Sequence, residues 1–426
     1  MNRSQFNAGL LAFLDAARSP FHAANLVTGL LAAAGFEALD ERAQWDLRVD
    51  GKYYVVRNDS SLIAFRMAGD QWVQHGLRMA GAHTDSPCLR LKPNAILQGR
   101  GYTRLGLEVY GGTLLNPWFD RDLSVAGRVH VRTSTGNLQG RLIDFDRPVA
   151  FIPSLAIHLD REANQKRSIN SQTDIPALLG QSDVNLRALL KAELLKAELQ
   201  ADAKMEVLDF ELCLYDCQPS RVIGLNSEFI ASARLDNLVS CYAAAQALVH
   251  ADDSSPALIV LNDHEEVGST TADGAQGAFL EQVLARLLPD PQDRARCIAS
   301  SVLVSADNAH GVHPNYPDKH DDRHGPLLNA GPVLKVNANQ RYASTSETQA
   351  FLRHAAERSG VPLQVFVTRA DMACGSTIGP LTAARIGVRT VDVGIPQLGM
   401  HSVRELCGAD DPHALFRLLQ GCFHST

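Results

Sequence analysis

Apolar residues recur at helical spacing between positions 5 and 35, and the run breaks at Ser19-Pro20, so two short helices are predicted there. Two short β-like runs follow, YYVV (53–56) and SLIAF (61–65). Asn58, Asp59 and Ser60 lie between them, which predicts a hairpin. LRMAGAHTDSP reads as a strand ending at His83. From about residue 93 the character changes. Glycine becomes frequent in LQGRGYTRLGLEVYGGTLL, and short β-like runs follow in GRVHVRT and GRLIDF. A polar loop over 160–185, a helix VNLRALLKAELLKAELQ and a strand MEVLDFELCLYD complete this part.

From residue 228 the rhythm is strand, loop, helix. The predicted strands are ALIVLND, SVLVSAD, GPVLKVN, LQVFVTR and VRTVDVG. The predicted helices are DNLVSCYAAAQALV, GAFLEQVLARLL, ETQAFLRHAAERS and DPHALFRLLQGCF. Such alternation implies an α/β fold with a mostly parallel sheet covered by helices. Residues 93–227 read as a β-rich domain with one helix, inserted into a domain made of 1–92 and 228–426. No repeat and no low-complexity tract interrupts this plan.

Composition narrows the function classes. The 426 residues are 45% hydrophobic and 20% charged, enough to bury a large core, and too many for a single ordinary one. The formal net charge of −7 and the lack of any basic run argue against nucleic acid as a partner. A small acidic ligand stays open, because local charge can oppose net charge. Eight cysteines stand singly with no CxxC, which predicts a reduced, cytoplasmic chain without a thiolate zinc site. The N-terminus has no signal-peptide pattern, and no apolar run is long enough to span a bilayer, so no membrane partner is expected.

The candidate chemistry lies beyond the carboxyl ends of the predicted strands, the edge at which open α/β sheets bind ligands. His83 and Asp85 follow LRMAGA, Glu265 and Glu266 follow ALIVLND, Asp307 follows SVLVSA, and His401 lies after VRTVDVG. Asp236 stands where a loop enters a helix. Each has an ordinary role when taken alone: a hydrogen-bonded loop histidine, a turn acceptor, a helix cap. Two histidines with several carboxylates at one edge suit a metal, and imidazole with carboxylate suits zinc, manganese or cobalt. Five candidates, His83, Asp236, Glu266, Asp307 and His401, are too many for one open ion and fit two ions sharing a carboxylate. Asp85 would orient the His83 ring from behind. Of the adjacent acids, Glu266 would ligate. Glu265 would act as general base, since a base must sit beside the activated oxygen without being consumed as a ligand.

Rival motifs fail on inspection. HExxH needs a second histidine where Gly268 stands. GxSxG, GxGxxG and GxxxxGK[ST] do not occur.

The motifs GAHTDSP, SARLDN, DHEEVGS, SADNAHGVHPNY, GPVLKVN, CGSTIGP and QLGMHSVRE follow one another in this order, with LAIHLDR inside the insert. Together they resemble the aspartyl aminopeptidase family of dinuclear zinc metallopeptidases. The resemblance implies a zinc-exopeptidase-like fold and removal of N-terminal Asp or Glu from peptides by attack of a water activated by two zinc ions. It implies two Zn2+ per subunit bridged by Asp236, one also held by His83 and Asp307, the other by Glu266 and His401. Mn2+ or Co2+ could take the looser site. Glu265 would be the catalytic glutamate, and Asp85 would orient His83. Lys335 in VLKVN would hold the acidic side chain beside His310, although spacing alone puts Lys335 on a solvent-facing edge strand. His158 in LAIHLDR would reach the site of a neighbouring subunit. The same resemblance implies a homo-oligomer, a dodecamer built from dimers through the insert. The apolar and aromatic stretch GYTRLGLEVYGGTLLNPWF is the kind of surface a partner covers. Two alternatives remain: a related dinuclear deacylase or carboxypeptidase, and a non-catalytic assembly protein of the same fold. Glu265 argues against the second, because a structural zinc site needs no spare base.

Overall fold

The computed structural model describes residues 1–69, 72–197, 202–252 and 256–424. The chain forms two compact units. The first comprises Met1–Asp85, Ser220–Met400 and Glu405–Thr426, and the second comprises Ser86–Pro219 and His401–Arg404. The divide falls a few residues before positions 93 and 227, where the sequence changes character. Strand Cys88–Gly99 runs unbroken across position 93, and Arg221–Ile223 pairs with Phe229–Ser232 in the first unit.

In the first unit, Asn2 and Gln5 form a capping box on helix Arg3–Ala16. Ser19 caps helix Pro20–Ala33, whose first residue is proline, and this accounts for the break between the two helices. The nine-stranded sheet has the order Glu37–Leu39, Lys52–Arg57, Ser61–Arg66, Ala257–Asn262, Arg78–His83, Val302–Ala306, Arg389–Gly394, Val333–Val336 and Gln364–Val367. The four strands from Ala257–Asn262 to Arg389–Gly394 are mutually parallel. The hairpin and Val333–Val336 join them antiparallel.

Strand side chains alternate between two apolar layers, as the pleat requires. Ala80, Ala82, Ile259, Leu261, Val304, Val391 and Val393 pack with helices Arg3–Ala16, Pro20–Ala33, Leu235–Val249, Ser346–Ser359 and Asp411–Phe423. Met79, Leu258, Val260 and Leu303 face the other way, toward Phe279–Leu287 and Pro291–Ser300. Pro291–Ser300 and Ile378–Ile386 are helices that periodicity did not flag. The first is mostly polar, burying only Cys297, and is capped by Asp290, and the second carries Gly379 and Pro380 in its first turn. A further sheet was also not foreseen: Arg221–Ile223, Phe229–Ser232, Glu405–Gly408, Pro396–Leu398 and Ala309–His310.

The second unit is built on a six-stranded, wholly antiparallel sheet in the order Leu138–Asp144, Leu123–Arg132, Glu206–Asp216, Cys88–Gly99, Tyr102–Tyr110 and Ala177–Gly180. Helix Leu186–Ala197 packs Leu190 and Leu194 into its core with Leu107, Val129 and Leu212. The last residues of the stretch predicted helical, 198–200, lie outside the described residues. The predicted polar loop holds a short helix, Ala163–Lys166, as well as strand Ala177–Gly180. Among the described residues no helix is long and apolar enough to cross a membrane.

The parallel strands are the backbone of the first unit, so truncating one of their fully buried side chains tests the arrangement. Ile259→Ala should cost about 2–5 kcal/mol by lost transfer energy and an unfilled cavity. The expected readout is a lower denaturant midpoint at unchanged slope. A loss well under about 1 kcal/mol would contradict the packing described for this strand.

Candidate metal centre

The parallel register sets the geometry. Asn262 pairs with His83, Leu261 with Ala82, and Ser305 with Gly81, so neighbouring strands end at nearly the same height. His83 is the last residue of its strand, Asp263 follows Asn262, and Asp307 follows Ala306. Asp307 is held close to the adjoining strand. A Cβ at Gly394 would stand 1.8 Å from the Asp307 carbonyl oxygen, so only glycine lets the backbones approach this closely. Glu265 and Glu266 follow the strand on a single 3-10 turn, Glu265–Val267. His264, at φ +65°, turns the chain into it. Asp236 enters from the start of helix Leu235–Val249 with non-helical dihedrals, φ −82° and ψ 106°.

These groups converge. His83, Asp236 and Asp307 each offer one donor atom within 4.8 Å of the others, and so do His83, Glu265 and Glu266. His83 Nε2 lies 3.5 Å from Asp236 Oδ1 and 3.7 Å from Asp307 Oδ1. Its Nδ1 lies 3.0 Å from the Asp85 carbonyl oxygen and 3.3 Å from Asp85 Oδ1. Asp85 does more than face the ring. Oδ1 accepts the Glu265 backbone N–H and Oδ2 accepts that of Glu266, both at 3.1 Å. One buried carboxylate thus positions the histidine and the turn that carries both glutamates.

Burial among like charges governs the electrostatics. Burial and the surrounding Asp307, Asp236 and Asp85 push Glu265 up to about 7. Glu266 is raised well above the usual carboxylate range by burial and the charge of Asp236. For His83, burial favours the neutral ring, but hydrogen bonds to Asp236, Asp307 and Asp85 outweigh it and raise its basicity strongly. Protons are held here because anions crowd without an equal number of cations. A divalent cation would relieve the same crowding. Imidazole nitrogen with carboxylate oxygen, at mutual distances of this order, is a donor set suited to zinc.

Beside this cluster lies a cavity of ≈ 300 Å³ in the first unit. His310, His313, Lys319, His320 and Arg369 line it, with Tyr342, Phe366 and Cys374, and no carboxylate does. Lys335 is not in the cavity wall and is only 2% exposed. Its Nζ is 3.4 Å from Asp307 Oδ2, donates to the Asn308 carbonyl at 3.1 Å, and stands 5.0 Å from the Tyr342 ring centroid. The solvent-facing edge position suggested by spacing is wrong. Its strand is paired on both sides, with Arg389–Gly394 and Gln364–Val367. Buried Asp392 is its cross-strand partner and accepts from Thr377 Oγ1 at 2.5 Å and Ala343 N at 2.6 Å. Neither Tyr342 nor Asp392 was singled out from the sequence, where nothing marks them beyond position.

Thus His83, Asp85, Asp236, Glu265, Glu266, Asp307 and Lys335 come together in one unit, with His310 on the adjoining cavity. His401 and His158 belong to the second unit. There His401 Nδ1 stands 3.2 Å from the Gly112 carbonyl oxygen. His158 is exposed between Leu155, Ile157 and Leu159, themselves 58%, 48% and 75% exposed.

The dual role of Asp85 makes a test. Asp85→Asn keeps the shape but presents an amide donor to one of two N–H groups. Zinc affinity should fall about 10–100-fold, as for other groups that orient ligands, with secondary structure intact. Titration against a chelator measures this, and unchanged affinity would contradict the role.

Residues 13–423 match the family model described as aminopeptidase I zinc metalloprotease (M18). A probable M18 family aminopeptidase 2 of Stutzerimonas stutzeri (strain A1501) is 56% identical over 429 residues, covering 100% of this chain and 99% of that protein. Among solved structures, one chain of the cryo-EM structure of the Ape4 and Nbr1 complex matches with a TM-score of 0.96 at 38% identity, over 99% of this chain and 86% of that one. The S. cerevisiae mApe1 dodecamer matches with a TM-score of 0.85 at 28% identity, over 97% of this chain and 95% of that one. The ordered motifs had pointed to the aspartyl aminopeptidases, which fall within this family. By family model and full-length identity, the chain belongs to the M18 aminopeptidase I zinc metalloproteases and is a zinc-dependent aminopeptidase acting on peptides.

Proposed function

We propose that this aminopeptidase removes acidic residues, Asp or Glu, from peptide N-termini, using two zinc ions per subunit. The observation that carries the substrate class is buried Lys335. Its ammonium, at 2% exposure, stands 5.0 Å from the ring of Tyr342, which lines a cavity together with cationic and neutral groups and no carboxylate. A carboxylate side chain entering there meets a desolvated cation, where a charge-assisted bond is strong. His310 lines the same cavity and would bound the acidic side chain.

On this reading Asp236 would be shared by the two ions. His83 and Asp307 would hold one with it, and Glu266 and His401 the other, with Mn2+ or Co2+ possible at the looser site. The ions, when bound, supply Lewis acidity that activates a water and polarises the scissile carbonyl. Glu265 accepts the water proton and returns it to the leaving amine, which requires a carboxylate kept out of the ligand set. Asp85 keeps Glu265 and Glu266 at fixed separation through their backbone N–H groups. His158, on its exposed apolar segment, would serve a neighbouring subunit in a homo-oligomer, a dodecamer built from dimers, which the mApe1 dodecamer supports. The insert is then the dimerisation domain. All eight cysteines are free thiols, which suits the reducing cytoplasm.

Two experiments test the reading. Glu265→Gln should retain zinc and lose kcat by about 10²–10⁴-fold. Zinc content and rates near wild type together would refute the base assignment. A panel of aminoacyl substrates should show Asp and Glu favoured over Asn, Gln, Leu and Lys. Lys335→Met should abolish that preference mainly through KM for the acidic substrates. A flat panel, or faster release of C-terminal residues or acyl groups, would favour a related deacylase or carboxypeptidase.

A further inference from the structure

Asp236 stands at the middle of the cluster, yet its backbone is neither helical nor part of a strand. What fixes it comes from elsewhere in the first unit. Glu405 opens strand Glu405–Gly408, which pairs antiparallel with Phe229–Ser232 so that Glu405 faces Ser232. From there its side chain reaches forward along the chain. Oε2 accepts the Asp236 backbone N–H at 3.0 Å, and Oε1 accepts Gln397 Nε2 at 3.4 Å. Gln397 Oε1 in turn accepts Asn308 Nδ2 at 2.8 Å, and the same Nδ2 donates to the Leu235 carbonyl at 2.9 Å. Asn308 directly follows Asp307. The loop is closed by Asn237, whose Nδ2 donates to the Ala306 carbonyl at 2.8 Å. Glu405, Gln397, Asn308 and Asn237 are all buried.

We propose that Glu405 is a positioning residue of the metal centre, its carboxylate fixing the Asp236 backbone so that the Asp236 side chain faces the ions. The inference rests on the metal-binding reading given above. Two physical effects act in the same direction. Geometrically, the network ties the segments on either side of Asp236 and Asp307 together, so both carboxylates hold one mutual arrangement. Electrostatically, Glu405 adds a further carboxylate behind the cluster, with a donor on each of its oxygens. A buried negative charge behind the cluster deepens the potential that attracts cations. The same charge adds to the crowding of anions when no cation is bound. Glu405 therefore favours the loaded protein and disfavours the metal-free one, and this opposition of signs separates it from a residue that merely supports the fold.

The experiment compares wild type, Glu405→Gln, Gln397→Met and His83→Ala, each purified with zinc. Zinc release is titrated with a chelator of known affinity and read by elemental analysis. Thermal midpoints are taken with and without metal. Glu405→Gln should release half its zinc at about 10–100-fold lower chelator strength than wild type. Its metal-free midpoint should equal or exceed that of metal-free wild type. Gln397→Met removes the second donor without changing charge, and should shift release in the same direction by less. If Glu405→Gln fails to fold, Gln397→Met decides, and a wild-type release curve for it overturns the proposal. So does a wild-type release curve for Glu405→Gln, or a metal-free midpoint that falls as far as the loaded one. His83→Ala should lose zinc outright. Retention of zinc by His83→Ala, with Glu405→Gln impaired or not, overturns the metal reading and this inference with it.

Discussion

Several carboxylates are held against their own repulsion at the end of a parallel sheet, and the rest of the first unit serves that constraint. Two like charges about 4 Å apart at an effective dielectric near 20 repel by roughly 4 kcal/mol, and here Asp236 and Asp307, and Glu265 and Glu266, each bring carboxylate oxygens within 4.8 Å of one another. Left to itself, a chain would turn these groups out to water. They stay because the strands that carry them are locked by register and by two apolar layers of core. The cost shows in the raised basicity of Glu265, Glu266 and His83. A site that binds protons this readily is prepared for cations of higher charge.

Backbone donors make the constraint workable. Asp85 receives the N–H groups of two successive residues, and Glu405 receives that of Asp236. Each is a carboxylate that need not touch a cation to matter. Each spreads negative charge toward peptide dipoles and accepts the backbone N–H of a carboxylate residue in the cluster. The 3-10 turn at Glu265–Val267 belongs to the same logic. Two adjacent residues on an extended strand would point to opposite faces. On a tight turn pinned by Asp85, both can face one region while keeping separate tasks.

Much of this was legible in the sequence, for reasons that differ by residue. His83, Asp307 and the Glu265–Glu266 pair follow short apolar runs, and parallel strands bring such ends to one edge without further information. Asp236 was legible only as a member of the set, since its spacing equally describes a helix cap. Lys335 was misplaced on spacing alone. Its strand looked like an edge because Gln364–Val367, which covers it, arrives about 30 residues later, and pairing partners are not written locally. Glu405 sits in the quoted run QLGMHSVRE, yet its task depends on a strand of four residues that periodicity does not detect. The second sheet of the first unit escaped for the same reason. Networks of side chains reaching backbone amides leave no pattern in composition or spacing.

On the proposed reading, Lys335 would tie substrate selection to the cluster. Its ammonium lies 3.4 Å from Asp307 Oδ2, and Asp392 faces it across the sheet. An incoming acidic side chain therefore approaches a cation already shared with a carboxylate of the centre. On the proposed reading, zinc withdraws charge from Asp307 and so frees part of the lysine's field for the substrate. Empty of metal, the same lysine is spent on neutralising Asp307 and holds an acidic residue poorly. Selectivity for acidic N-termini would then be strongest in the loaded protein. The chain needs no moving part for this, because the coupling runs through one buried ammonium between two anions.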